Sequence, residues 1–470
     1  MMKVIISNEI TIIEPTQEIL DWCKRELVIP NPDYAKKERM GLWVGNTPRT
    51  LCLYKINGNS VILPIGAFKY IKPMIKTCEY EKSLDLANNE PVDYDAKVNL
   101  YDYQEKAVEQ MLKVGFGILQ SPAGSGKTQM GIALAVKLGK KCLWLTHTQD
   151  LLKQSYDRAS QYIDKSLLGT ITAGKVNIGA GITFATVQTL AKQDLTQYKY
   201  MWDVVIVDEC HRVAGTPTSM TQFSKVISNL ACRYKYGLSA TVHRADGMIK
   251  CCYMLLGEVK YIVPDEAVKD KVMAVKVVRV DTMCNMPMSA LDTDGTINYT
   301  KLISSLANKK ARNDDILMHI VSDAEHYHLI LSDRLDQLYS IYESLPDDLK
   351  AQASVIDGSM TSKKGKAERE QAIEDMRAGK KHFLFASYKL AKEGLDIPRL
   401  DRLHLATPQK DYAIIVQSVG RIARTFEGKE QPICFDYVDN FKMADNMYKL
   451  RCRHYKKCGC EIKEAKNENF

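Results

Sequence analysis

The sequence predicts an α/β chain of two tandem doubly wound parallel-sheet domains with a small N-terminal α+β domain in front. Three observations lead there. At roughly 100 to 200 residues per domain, 470 residues make two to four domains. Two series of short apolar runs alternate with helix-length segments, and strands buried on both faces of a parallel sheet read as continuous apolar runs. The first 95 residues instead carry short β-branched runs with turn residues between them.

In chain order, the leading runs are Val4 to Ile6, Ile10 to Ile13, Leu51 to Ile56 and Val61 to Leu63. Asn57-Gly58 separates the last two and populates the positive φ angles of a type I′ turn, so a β-hairpin is expected from about Thr50 to Ile65. The first series follows at Phe116 to Leu119, Cys142 to Thr146, Ile182 to Ala185, Val204 to Val207 and Tyr236 to Leu238. Asp281 to Asn308, rich in Met, Asp, Thr and Ser without a sustained period, reads as a connector. The second series is His328 to Leu331, Ser354 to Ile356, His382 to Phe385, Arg402 to Leu405 and Pro432 to Phe435. The expected division is 1–95 accessory domain, 96–280 first α/β domain, 281–312 connector, 313–450 second α/β domain and 451–470 basic tail.

Forty-five per cent apolar and 26% charged residues exclude wholesale disorder. Sixty-five basic against 57 acidic residues leave a net charge of +8, which permits a polyanionic partner without demanding one. Thirteen cysteines, an odd number scattered through apolar runs, fit reduced thiols in a cytosolic setting. Met1 to Glu9 lacks a signal-like apolar region and no apolar stretch reaches the 18 or so residues of a membrane span, so no membrane partner is expected.

Ser121-Pro122-Ala123-Gly124-Ser125-Gly126-Lys127-Thr128 follows the strand-like Phe116 to Leu119 and precedes the helix-like Gln129 to Leu138. Glycines let such a loop wrap phosphate oxygens with its N–H groups. Lys127 then reaches the β- and γ-phosphates and Thr128 ligates Mg²⁺. A plain Gly-Ser helix cap would not need Gly-Lys-Thr at this spacing. Ser121 stands where the bare consensus has Gly. Later, Val204 to Val207 runs into Asp208-Glu209-Cys210-His211, which delivers two carboxylates to the carboxyl end of a buried strand, beside the phosphate loop if the two strands are sheet neighbours. Asp208 suits Mg²⁺, and Glu209 suits proton abstraction from water. ATP and Mg²⁺ are the cofactors these motifs call for.

With these residues the chain resembles the superfamily-two helicases and translocases, of which Asp-Glu-Cys-His is a variant of the Asp-Glu-x-His box. The family's other motifs recur in order: Leu100 to Gln104, Thr146 to Leu151, Ala185 to Gln188, Leu238 to Thr241 with Arg244, Ile330 to Arg334, Phe385 to Ser387, Glu393 to Pro398, and Gln417 to Arg424. The resemblance spans roughly Leu100 to Asp439 and implies two RecA-like domains. It implies that Gln104 reads the adenine edge, that Gly124, Ser125, Gly126, Lys127 and Thr128 hold phosphate, and that Gly394 and Asp396 approach the ribose. Arg421 and Arg424, one helical turn apart, resemble arginine fingers reaching the γ-phosphate. Ser239 and Thr241 resemble the coupling motif, and His211 the box histidine, with Gln417 as its partner. A nucleic-acid strand is expected on Thr146, Thr148, Gln149, Thr186, Gln188, Ser387 and Lys389.

Tyr101 stands where the family often has Arg, and a base-stacking role is open to it. Cys210 replaces the usual Ala or Glu and reads as a small buried residue rather than a redox switch. Cys452, His454, Cys458 and Cys460 are too closely spaced for a comfortable tetrahedral zinc shell. Met447 to Lys457 reads as a basic helix near nucleic acid.

Leu-Tyr-Asp-Tyr-Gln, the run Ser239 to Gly247, Arg312-Asn313 and the small N-terminal module resemble phage and bacterial DNA helicases of the XPB/UvsW kind. That resemblance implies an ATP-dependent DNA helicase or translocase acting on single-stranded, duplex or branched DNA, with replication or recombination proteins as possible partners. RNA is the less favoured substrate. The competing classes are an RNA-dependent ATPase and the motor subunit of a restriction or defence complex.

Overall fold

Both series of apolar runs fold as parallel sheets in a computed structural model of the chain, which describes residues 2–76, 79–82, 85–122, 124–172, 174–213, 216–240, 248–360, 362–392 and 395–463. They lie in two compact units, Met1–Pro264 and Asp265–Phe470.

In the first unit eight strands lie in the order Lys175–Asn177, Leu168–Thr172, Ile182–Thr186, Cys142–Thr146, Val204–Val207, Tyr234–Ser239, Phe116–Gln120, Val259–Ile262. All pairs are parallel except the hairpin at Lys175–Asn177. Cys142–Thr146, Ile182–Thr186 and Val204–Val207 bury every residue, as strands covered on both faces do. Parallel strands end on one edge, so the loops after Gln120, Thr146, Thr186, Val207 and Ser239 share it.

The N-terminal region forms a five-stranded sheet in the order Lys55–Asn57, Ser60–Pro64, Glu9–Ile13, Lys3–Ile6, Glu79–Lys82. The hairpin turns at Asn57-Gly58 but begins at Lys55, because Thr50–Cys52 leaves it to pair with Val28–Pro30. Val4, Ile10, Ile19 and Leu63 share one apolar cluster with Val205, Phe223 and Leu256. Lys235, buried, donates its ammonium to Asn8 O at 3.0 Å, and Asn8 Nδ2 donates to Ser228 O at 2.8 Å. The accessory sheet is thus fastened to the first α/β sheet by a common core.

In the second unit seven parallel strands run in the order Ala353–Ile356, Phe383–Ser387, His328–Ser332, Arg402–Leu405, Ile433–Val438, Lys276–Asp281, Glu461–Lys463. The unit begins at Asp265 rather than after residue 280, because Lys276–Asp281 is hydrogen bonded along Ile433–Val438. The expected connector contains the helix Tyr299–Ala307, whose Leu302 and Leu306 pack with Cys284 and Ala290. The C-terminal helix Lys442–Lys457 is not basic all round. Its Arg451 is 1% exposed, donates from Nε and Nη2 to Asp436 at 2.7 and 2.6 Å, and donates from Nη1 to Gln409 O at 3.0 Å. The expected tail also adds the strand Glu461–Lys463 to the sheet.

Candidate functional site

The phosphate loop leaves the carboxyl end of Phe116–Gln120 and enters the helix Lys127–Leu138. Gly124 and Gly126 sit at φ 80° and 77°, the left-handed region in which a side chain is strained. Ser121, at the departure from consensus, is fully buried, and its hydroxyl is hydrogen bonded to that of Ser125. Ser121 N donates to Ser239 O at 2.9 Å, and Ser125 Oγ donates to Pro122 O at 2.7 Å. The serine therefore braces the turn that a glycine would merely permit. Gln104 is 1% exposed; its Nε2 donates to Ser125 O at 2.8 Å while its Oε1 accepts from Tyr101 N at 2.9 Å. The amide expected to read a base is here engaged in positioning the loop. Beside it Tyr101, 51% exposed, stacks on Tyr103 with ring centroids 6.0 Å apart.

The acid-pair strand Val204–Val207 and the loop strand Phe116–Gln120 are not neighbours: Tyr234–Ser239 lies between them. That insertion brings Ser239 between the two motifs. Glu209 follows the strand at φ 46°, a conformation costing a non-glycine residue roughly 1 kcal/mol or more. Its carboxylate lies 3.9 Å from Lys127 Nζ and 3.4 Å from His211 Nδ1, and His211 Nδ1 is 2.8 Å from Ser239 Oγ. Lys127, Glu209, His211 and Ser239 thus form a continuous polar chain from the phosphate loop to the end of the intervening strand.

Asp208, 4% exposed, accepts from Glu209 N at 2.9 Å and from Ser155 Oγ at 3.4 Å. Burial, reinforced by the Glu209 charge and opposed by Lys127, pushes its pKa up to about 7. A buried carboxyl so placed gains from a cation. Cys210 is fully buried, and hydrogen bonding with Cys252 together with burial pushes its thiol pKa up, as suits a packing residue.

Thr146 and Thr186 close adjacent strands in register, and their hydroxyls are engaged locally: Thr146 Oγ1 donates to Thr148 O at 2.9 Å, and Thr186 Oγ1 lies 2.7 Å from Thr189 Oγ1. Thr148 caps the helix Gln149–Ala159. Gln188 Nε2 donates to His147 O at 3.0 Å, tying the two loops together. Four expected contact residues therefore shape the loops, and Gln149, at the first helical position, is exposed.

In the second unit the helix Tyr412–Ile422 carries Gln417, buried, and Arg421, but ends before Arg424. The two arginines do not share one helical face. The helix stops because Met273 N takes the Ala423 carbonyl at 2.7 Å and Arg424 forms a β-bridge with Val272. Both arginines nonetheless converge on the loop after Phe383–Ser387. Arg421 donates to Ala391 O at 3.0 Å and Leu395 O at 2.9 Å, while Arg424 is ion-paired with Asp396. Ser387 Oγ accepts from Leu390 N at 3.3 Å, and Lys389 is exposed. Thr241 and Gly394, together with Arg244 and Glu393, lie outside the described residues.

Sequence reasoning missed Lys429. Its ammonium donates to Ile422 O and Arg424 O at 2.7 Å each and to Pro398 O at 3.0 Å, and burial lowers its pKa to about 7. It caps the helix end and fixes the segment bearing Arg424. A single lysine in a Phe-Glu-Gly-Lys turn carries no signal of this. Arg312 and Asn313, part of the family resemblance, are buried; Arg312 Nε donates to Asp439 at 2.8 Å, a structural pairing.

A phosphate loop and acid pair on one doubly wound sheet, with arginines carried by a second, define a nucleic-acid-dependent ATP-hydrolysing motor. Residues 97–244 match the family described as type III restriction enzyme, res subunit, and residues 311–426 match the helicase conserved C-terminal domain. A protein of Acanthamoeba polyphaga mimivirus, L396, provisionally named an ATP-dependent RNA helicase, is 29% identical over 82% of this chain and 72% of its own length. The DNA 3'-5' translocase XPB2 of Sulfurisphaera tokodaii is 24% identical over 71% of this chain and 80% of its own. In fold alone, a fragment of an HsdR type I restriction subunit from Vibrio vulnificus covers 96% of this chain and 82% of its own, at TM-score 0.58 and 17% identity. The chain belongs to the superfamily-two helicases, and it is an ATP hydrolase that acts on nucleic acid. Among the described residues no helix is long and apolar enough to cross a membrane.

Proposed function

We propose that the chain is an ATP-driven helicase or translocase whose substrate is DNA, moved along or remodelled in duplex or branched form during replication, recombination or repair. The observation that carries the motor reading is the chain Lys127–Glu209–His211–Ser239, which links the place where phosphate is held to the end of the neighbouring strand. The run Ser239 to Gly247 and the likeness to the XPB2 translocase support DNA. The name of the mimivirus relative favours RNA as the second reading.

On this reading the loop N–H groups and Lys127 hold the triphosphate, and Tyr101 offers a stacking face to the base. Gln104 keeps Tyr101 and Ser125 in place. Glu209 takes the proton of the attacking water, and His211 and Ser239 relay the loss of the γ-phosphate toward the loops after Thr146 and Thr186. Asp208 and Thr128 would hold Mg²⁺, since a carboxylate and a hydroxyl are the hard oxygen donors that ion takes. No cluster of three or more His, Cys, Asp or Glu suited to another metal occurs among the described residues. When bound, the ion neutralises charge on the transferring phosphoryl group. Arg421 and Arg424 serve as the fingers of the second domain, and Asp396 holds Arg424 until nucleotide arrives. A strand runs over Gln149, Gln188 and Lys389, largely through its phosphates.

ATPase rates with single-stranded DNA, duplex, forked DNA and RNA, measured side by side, test the proposal. Stimulation by DNA is expected; stimulation by RNA alone overturns the substrate assignment.

A further inference from the structure

The helix Pro32–Arg39 buries none of its residues, although short helices owe most of their stability to a packed apolar face. It is pinned from its ends instead. Asn31 Oδ1 accepts from Asp33 N at 3.0 Å, and its Nδ2 donates to Pro48 O at 2.7 Å. Lys37 Nζ donates to Thr47 Oγ1 at 2.8 Å, and Leu42 N donates to Lys37 O at 2.9 Å. Residues 31–49 therefore form a tied projection with a defined shape.

Its tip presents Met40, Leu42 and Trp43, the last 86% exposed. Gly45, at φ 50°, lies under the indole: a Cβ there would stand 2.6 Å from the ring, so the bare glycine backbone lets the indole lie close in this position. The other tryptophans, Trp22, Trp144 and Trp202, are buried. Lys36, Lys37, Arg39 and Arg49 outnumber Asp33 and Glu38 within the projection. Under it lies a cleft of about 580 Å³ bounded by Lys36, Met40 and Leu42 and by Pro217 and Thr221 of the helix that follows the acid box.

We propose that this projection binds nucleic acid by stacking Trp43 on an unpaired base while Lys36, Arg39 and Arg49 contact the flanking phosphates. An aromatic platform with surrounding cations is the arrangement by which proteins hold single strands without reading their sequence. Four cations against two carboxylates flank the ring, which complements a polyanionic backbone. The inference rests on the reading of the chain as a DNA motor and adds what the accessory region grips: unpaired bases, as at a fork or junction.

Intrinsic fluorescence of the full chain without nucleotide tests it, because Trp43 is the solvent-exposed emitter. A short oligothymidylate should quench the red edge of the emission, a blunt duplex should not, and Trp43→Phe should abolish the response. Trp43→Ala should weaken oligothymidylate binding roughly tenfold. If oligothymidylate stimulates the ATPase but leaves the emission unchanged at saturation, the stacking proposal is overturned and the motor reading stands. If no nucleic acid stimulates the ATPase, the motor reading fails while quenching with weakened Trp43→Ala binding still supports the stack. Emission that changes with protein concentration alone assigns Trp43 to a contact between copies and overturns the proposal.

Discussion

At the carboxyl edge of the first sheet the charged groups are largely buried and face one another across tight turns; beside the strand Phe383–Ser387 of the second they are partly exposed and clamped to their own loop. Lys127 and Glu209 are 11% and 18% exposed and 3.9 Å apart, whereas Arg424 and Asp396 are 29% and 32% exposed and directly paired. Building the first arrangement costs a left-handed Glu209 and an Asp208 whose ionisation burial opposes. The second costs little, since a partly exposed ion pair is worth only about 0–1 kcal/mol. One half is preorganised for phosphate, and the other keeps Arg424 neutralised in cis and Arg421 held on backbone carbonyls, both in a form easily exchanged for a more negative partner.

The sharpest way to break this contrast is Lys127→Ala, which should remove both ATP binding and turnover, read by nucleotide titration and phosphate release; retained turnover would show that the loop does not cradle the triphosphate. Arg424→Ala should behave differently: turnover should fall about 1,000-fold with little loss of ATP binding, because a finger acts on charge that develops during transfer. An unchanged rate removes Arg424 from that role. Glu209→Gln should lower hydrolysis roughly 100-fold while ATP still binds, and normal hydrolysis would mean another group accepts the proton.

The same contrast separates what the residues disclosed from what they did not. Cys142–Thr146 and Val204–Val207 were legible because a strand covered on both faces has no room for polar side chains. Lys276–Asp281 and Val259–Ile262 were not: the first buries only Val277 and is otherwise half-buried or exposed, while the second alternates half-buried with exposed positions, and Ile262 is 57% exposed. The motifs named Lys127, Asp208 and Glu209, yet the strand between them and the bracing by Gln104 and Ser121 arise from sheet order, which local sequence does not encode. Helical spacing placed Arg421 and Arg424 on one face, but the competing bonds from Met273 and Lys429 end the helix between them. Those partners are distant in sequence or unmarked by any motif.

The smallest effect expected is on stability, and it too divides the units. In the second, His328 Nε2 lies 2.8 Å from the Asp323 carbonyl, His328 Nδ1 lies 3.0 Å from His404 Nε2, and His404 Nδ1 lies 2.9 Å from Tyr437 OH. A carbonyl only accepts, so the His328 proton sits on Nε2; His404 then donates to His328, and Tyr437 to His404. Neither ring has room for a second proton in this chain. Burial lowers the His328 pKa to about 4, outweighing the nearby Asp323 and Asp401 carboxylates, and lowers that of His404 well below its usual range. Between about pH 6.5 and pH 4 the unfolded chain therefore binds protons that the folded chain refuses, so stability is present above the ordinary histidine range and is lost as pH falls through that window. Each such histidine contributes up to about 1.4 kcal/mol per pH unit. Thermal unfolding of the full chain followed from pH 7.5 to 4.5 should show the transition of the second unit moving to lower temperature below pH 6.5, and His404→Phe should flatten part of that slope even as it lowers overall stability by leaving Tyr437 OH without its acceptor. A second-unit transition whose pH slope is the same in the variant would show that the buried pair does not set it.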